Sequence, residues 1–234
     1  MLSLLTTGLR RMSQPAKQSP SSCKPSASCK SSTDPSAGMA TQDNPKSALI
    51  LIAKGTEEME CITAVDVLRR GGITVHLAGL CGNKPVKCRS DSVISPDIGL
   101  ADAKGPYDAI VLPGGLDGSK AFCQSEELGE LLRAQEKCGR IVAAICAAPT
   151  ALKAHKIGLK KRVTSYPSMK SEMVKDGCYT YVDDQKVVVD GNVITSQGPA
   201  TAINFAIVLV EQICGREKAQ EVSKGLLFDY CSLY

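Results

Sequence analysis

The sequence has no tryptophan, three phenylalanines, six tyrosines and two histidines in 234 residues. So few aromatics argue against an aromatic-rich binding surface. With only His76 and His155, and no CxxC pair among eleven cysteines, a metal site is not expected. The scattered cysteines and the lack of a secretory leader favour reduced thiols in an intracellular setting. No apolar run is long enough to span a bilayer. Acidic residues are missing from the first 33 positions, which hold Arg10, Arg11, Lys17, Lys24 and Lys30. Because the whole chain carries +4, the remainder is close to −1. The basic balance therefore belongs to the leader, and the body gives no reason to expect nucleic acid or anionic membrane as a partner.

What is plentiful is Ala, Val, Ile, Leu and Gly, and the hydrophobic share of 43% is enough for one core. The expected organisation is a leader over 1–45, one domain over 46–228 and a short tail over 229–234. Most of the leader is Ser, Pro and Lys without a period that could bury a face, which reads as disorder. Its first residues differ, because Leu2, Leu5, Leu9 and Met12 recur at helical spacing with Arg10 and Arg11 off that face. That pattern resembles a mitochondrial transit peptide, with an ordinary disordered tail as the alternative. Met39 offers a second start that would give a shorter cytosolic form.

From Ser47 onward, short apolar runs alternate with helical stretches. SALILIA, ITVHLAGL, YDAIVLPGG and RIVAAI read as buried strands, and EMECITAVDVLRRGG and SEELGELLRAQEKCG as helices. RVTSYP, CYTYVDD, KVVVDG and NVITSQGP follow, with Asp190-Gly191 as a hairpin turn. PATAINFAIVLVEQICG is a nearly all-apolar helix, and a short amphipathic helix closes the body. The alternation predicts an α/β fold, with a mainly parallel sheet, helices on both faces and an added hairpin.

In such a sheet, reactive groups collect beyond the carboxyl ends of the strands. Cys146 follows the strand RIVAAI and precedes a helix, where the helix dipole should favour the thiolate. A buried cysteine filling a gap is the competing reading. Gly114 and Gly115 end a neighbouring strand, and their N–H groups, with that of Ala147, are candidates to hold a developing oxyanion. A simple turn explains a glycine pair equally well.

KSALILIAKGTEEMECITAVDVLRR, YDAIVLPGG, AAICAAPTALKAHKIG, VTSYPSMK and ITSQGPATAINFA together resemble the DJ-one family of protein deglycases, within the PfpI-type and class I glutamine amidotransferase-like superfamily. The likeness runs from about Ser47 to Leu227. It implies a flavodoxin-like sandwich, a homodimer, and a reactive cysteine at Cys146 with Glu60 beside it. A carboxyl next to a thiolate should have a raised pKa and so hold a proton to share. Without the resemblance, Glu57, Glu58 and Glu60 are equally good helix-start acids.

Three departures from the pattern matter. Ala147 stands where protease-like members have a histidine, and neither His76 nor His155 is placed as a base, which argues against a Cys-His hydrolase. Tyr166 stands where many closer relatives have histidine, and a phenol is a poor base at neutral pH. The order CSRD appears as Cys88-Arg89-Ser90-Asp91, and TSRGP appears with Gln197. The lost positive charge should weaken capture of anions. Arg89, Tyr166 and Gln197 are the expected pocket residues.

The resemblance implies protection from oxidative and carbonyl stress without an external cofactor. Either Cys146 and Glu60 act on methylglyoxal or glycated side chains as a glutathione-independent glyoxalase or deglycase, or Cys146 is a peroxide sensor oxidised to sulfinate in a chaperone-like protein. The expected location is cytoplasmic and mitochondrial, with a nuclear share implied by the family.

Overall fold

The computed structural model describes residues 45–233, so the leader and its Leu2–Met12 pattern lie outside the described residues. The chain opens on β1 (Ser47–Ile52), α1 (Glu58–Arg70) and β2 (Thr74–Gly79). The polar stretch that follows holds three two-residue strands, β3 (Val86–Lys87), β4 (Val93–Ile94) and β5 (Ile98–Gly99). Next come β6 (Ala109–Leu112), α2 (Leu116–Gln124), α3 (Glu126–Lys137), β7 (Ile141–Ile145) and α4 (Pro149–Ala154). The last third holds β8 (Arg162–Val163), α5 (Lys170–Val174), β9 (Thr180–Tyr181), β10 (Val187–Asp190), β11 (Val193–Ser196), α6 (Ala202–Cys214) and α7 (Arg216–Gly225).

Seven strands form one sheet in the order β10-β11-β7-β6-β1-β2-β5, parallel except for the β10–β11 hairpin. Gly191, with φ 58°, makes that hairpin's turn as the Asp-Gly pair predicts. The residues of β1 show why both faces are covered. Ala48, Ile50 and Ile52 join a core with α1, α6 and α7, while Leu49 and Leu51 join a second core with α2, α3 and α4. Each fully buried aliphatic side chain contributes roughly 1.5–3 kcal/mol of burial. α6 is apolar almost all round because α1, α7 and the sheet enclose it.

Three sequence expectations change. α2 is not among the expected helices because LDGSKAFCQ has a glycine in its first turn, and Gly118 is there for contact: a Cβ on it would lie 2.7 Å from Thr56 Oγ1. RVTSYP contributes only β8, which pairs with β9 in a separate two-stranded sheet. Residues 229–233, read as a C-terminal tail, are anchored at their end, while Asp229 and Cys231 stay exposed. Leu233 is buried, and Asn204 Nδ2 donates to the carbonyls of Ser232 at 2.8 Å and Leu233 at 3.1 Å.

Candidate active site

After β1 the chain turns towards β2, and after β6 it turns the other way towards β7, so the two following loops part at the carboxyl ends of adjacent strands. Such a switch point opens a crevice by topology alone. Glu57 N–H donates to the Gly114 carbonyl at 2.9 Å and ties the two loops together. Gly115, with φ 88°, lets the chain pass against Gly55, whose carbonyl would be 2.2 Å from an added Cβ. These glycines therefore do more than turn the chain.

Cys146 stands at this edge with φ 65°, in the left-handed region that a non-glycine residue rarely adopts. Its N–H donates to the Ser196 carbonyl at 3.0 Å, and its carbonyl accepts from Tyr166 N–H at 2.7 Å. The strand-end motifs TSQGP and TSYP thus hold the elbow by its backbone. α4 begins three residues later with Pro149 and has six residues.

The inward face of α1 carries Glu60, Cys61, Ala64, Val65 and Leu68, whereas Met59 and Ile62 point outward. This register separates the three acids. Glu57 takes an ion pair from Arg89 Nη1 at 3.2 Å, and Glu58 accepts from Ser90 N–H at 3.1 Å. Glu60 is buried, with Oε2 accepting from Gly114 N–H at 2.7 Å. The Cys146 thiol interacts with the same carboxyl, and Oε1 is left without a well-formed hydrogen bond. The proton of a carboxylic acid here belongs on Oε1, because Oε2 already accepts from the amide.

Burial pushes the Glu60 carboxyl up to about 7, against the pull of the Gly114 amide and the Cys146 thiol. Burial also pushes the Cys146 thiol up to about 12, and the Glu60 carboxylate adds to that rise. The expectation of a thiol lowered by a helix terminus is corrected: the helix is short, and desolvation outweighs it. Cys88 is likewise pushed up, to about 11, by burial. What sets Cys146 apart is the pair of backbone N–H groups, from Gly115 and Ala147, that favour its ionised form. Once Glu60 holds the proton, its repulsion is removed as well, so cysteine and glutamate titrate as one unit.

Of the expected oxyanion donors, Gly115 and Ala147 face the sulfur, but the Gly114 N–H is spent on Glu60 and drops out. A cavity of about 350 Å³ opens beside Cys146, lined by Arg89 and Tyr166 as expected. Gln197 is not in its lining, and its Nε2 donates instead to the Asp183 carbonyl at 3.1 Å. Glu57, Leu116, Ser168 and Pro199 complete the wall and were not foreseen there. His155 is buried and bonds the Phe122 carbonyl at 2.8 Å, and His76 packs edge-on against Tyr107, so both are structural. Among the described residues, none of the cysteines is joined in a disulfide, and no helix is long and apolar enough to cross a membrane.

A doubly covered parallel sheet with a strained cysteine elbow and a buried glutamate across a switch-point crevice defines a narrow class. The chain belongs to the DJ-1/PfpI family, whose model matches residues 46–212. It is 55% identical over 186 residues to protein dj-1beta of Drosophila melanogaster, covering 79% of this chain and 98% of that one. It is 44% identical over 183 residues to the glutathione-independent glyoxalase DJR-1.2 of Caenorhabditis elegans, covering 77% and 96%. The crystal structure of Drosophila melanogaster DJ-1beta matches with a TM-score of 0.78 at 54% identity, over 80% of this chain and all of that one.

Proposed function

We propose that the protein is a stress-protective enzyme that converts α-oxoaldehydes such as methylglyoxal to hydroxy acids without glutathione, and that acts on early glycated side chains by forming the same C–S bond as the modified amine, guanidine or thiol leaves the former aldehyde carbon. The observation that supports this most is the Glu60 carboxyl, held near pKa 7 beside the Cys146 thiol at the edge of a cavity. A group that titrates near the working pH is suited to both giving and taking a proton.

The Glu60 carboxylate takes the thiol proton as the sulfur of Cys146 adds to the aldehyde carbon and forms a C–S bond, and Glu60 then gives that proton to the resulting alkoxide, completing a hemithioacetal. As carboxylate, Glu60 then removes the hydrogen on that carbon and returns it to the adjacent carbonyl carbon through an enediol. The product of this shift is a thioester at the oxidation level of lactate. Water cleaves the C–S bond, releasing the hydroxy acid and restoring the thiol. The N–H groups of Gly115 and Ala147 are available to hold negative charge that develops at oxygen or sulfur. The test is lactate formation from methylglyoxal by the full chain without glutathione, beside Cys146→Ser and Glu60→Gln. Loss of turnover in both variants is expected; equal turnover in native protein and variants would sink the reading.

A second reading is favoured by one atom. Glu60 Oε1 is buried with no well-formed hydrogen bond, so its O–H is free to donate to an oxygen placed on sulfur. Two equivalents of peroxide would oxidise the thiolate through sulfenate to sulfinate, releasing water at each step. Intact mass after dilute peroxide decides it: a two-oxygen adduct should appear in the native chain and not in Cys146→Ser.

The homodimer belongs to the same proposal. It is the usual assembly in this family, and Met59 and Ile62, 59% and 45% exposed, give α1 an apolar outer face. Light scattering at micromolar concentration tests it. Cytosolic and mitochondrial placement is likewise proposed, to be tested by cell fractionation with N-terminal peptide mapping.

A further inference from the structure

A second cavity, of about 450 Å³, adjoins the cysteine cavity: Arg89 and Leu116 line both. The floor between them is backbone, because Gly115, whose N–H faces the sulfur, lies directly against the Gly55 carbonyl. Lys54 precedes that glycine and opens into the second cavity. Leu116 is 54% exposed at the start of α2, an apolar ridge between two polar basins.

The charge of the second cavity is one-sided. Lys54, Lys87, Arg89 and Lys120 face only Asp91 and Asp117 within its lining. Lys87 reaches Asp91 at 2.8 Å and Lys120 reaches Asp117 at 3.8 Å, in pairs exposed enough to rearrange at little cost. Lys54 makes no ion pair among the described residues. Arg89 is tied to Glu57 and so marks the border.

We propose that this second cavity is a subsite for an anionic group, carboxylate or phosphate, carried by the substrate beyond its reactive carbonyl. The inference rests on the reading that Cys146 attacks carbonyl compounds. It names their class: molecules whose reactive carbon sits over Cys146, whose apolar or carbon body crosses Leu116, and whose charged end meets Lys54 and Lys120. Positive charge missing at Gln197 is thereby supplied from another side of the crevice.

The test does not depend on turnover. Phenacyl bromide and 4-carboxyphenacyl bromide each alkylate a thiolate with release of bromide, and differ by one carboxylate far from the reacting carbon. Their rates at Cys146 are read by peptide mass mapping of the intact full chain and divided by their rates with free glutathione. The corrected ratio should favour the carboxylate reagent roughly fivefold at low salt. In Lys54→Gln/Lys120→Gln, and at high salt, it should fall towards one. Competition by inorganic phosphate but not by malonate would assign the subsite to phosphate esters, and the reverse to carboxylates. A ratio near one in the native protein, or a preference that survives the double substitution, would overturn the inference. Absence of methylglyoxal turnover would instead count against the catalytic reading, since alkylation needs only the nucleophile.

Discussion

Gly114 and Cys146 are packed so closely that a Cβ on the glycine would lie 2.5 Å from the Cβ of the cysteine. The same Cβ would lie 2.7 Å from Glu60 Oε2, the oxygen that the glycine's N–H already holds. One missing side chain therefore lets nucleophile and proton carrier share a space. Gly114→Ala should destabilise the fold by about 1–3 kcal/mol, as overpacking of a tight core does. It should also reduce Cys146 alkylation and turnover more than stability alone explains. Urea unfolding beside activity at a temperature where both proteins are folded checks this.

The raised Glu60 carboxyl makes stability depend on pH in a definite direction. Its folded value of about 7 lies above the ordinary 4.5, so between those values the folded state binds more protons than the unfolded one. The stabilising contribution is present below pH 4.5 and is lost as pH rises to 7, on the order of 3 kcal/mol in all. Glu60→Gln removes this component. The difference in unfolding free energy between native protein and variant should therefore change between pH 5 and 8. A difference that stays constant over that range would contradict the assignment.

Arg89 adjusts the same group from the cavity wall, where its positive charge draws Glu60 down. Arg89→Gln should move the Glu60-dependent part of the pH profile to higher pH. It also leaves the largely buried Glu57 without its ion pair. Subtracting the profiles of Arg89→Gln and Arg89→Gln/Glu60→Gln isolates the midpoint, and an unmoved midpoint would refute the coupling.

Asn204 anchors the end of the chain through two backbone carbonyls. Asn204→Ala leaves both without that donor and should cost about 1–3 kcal/mol. Residues after Phe228 should then become the first site of limited proteolysis, while the Cys146 alkylation rate stays close to native.

The main strands and the long helices could be read from the sequence because each has a clear period, and the Asp190-Gly191 turn has its own chemistry. α2 could not, since Gly118 within it and Gly115 just before it serve contact with the loop after β1. Glu60 was singled out by family resemblance, yet the spacing of Glu60, Ala64 and Leu68 already marked it as inward-facing. Invisible in sequence were the quantities set by three-dimensional burial: the direction of the thiol shift, the use of the Gly114 N–H, and Gln197 turning to Asp183. Leu116, Ser168 and Pro199 come from separate segments, and only the fold makes them neighbours.

The left-handed backbone of Cys146 means that the residue best suited to this position for folding alone is glycine. Selection for heat resistance at position 146 would then favour a protein that has lost its reactive sulfur. A cysteine held in a conformation that disfavours it by about 1 kcal/mol makes the elbow a place where durability and reactivity are opposed, and any stabilised variant should be screened first for its thiol.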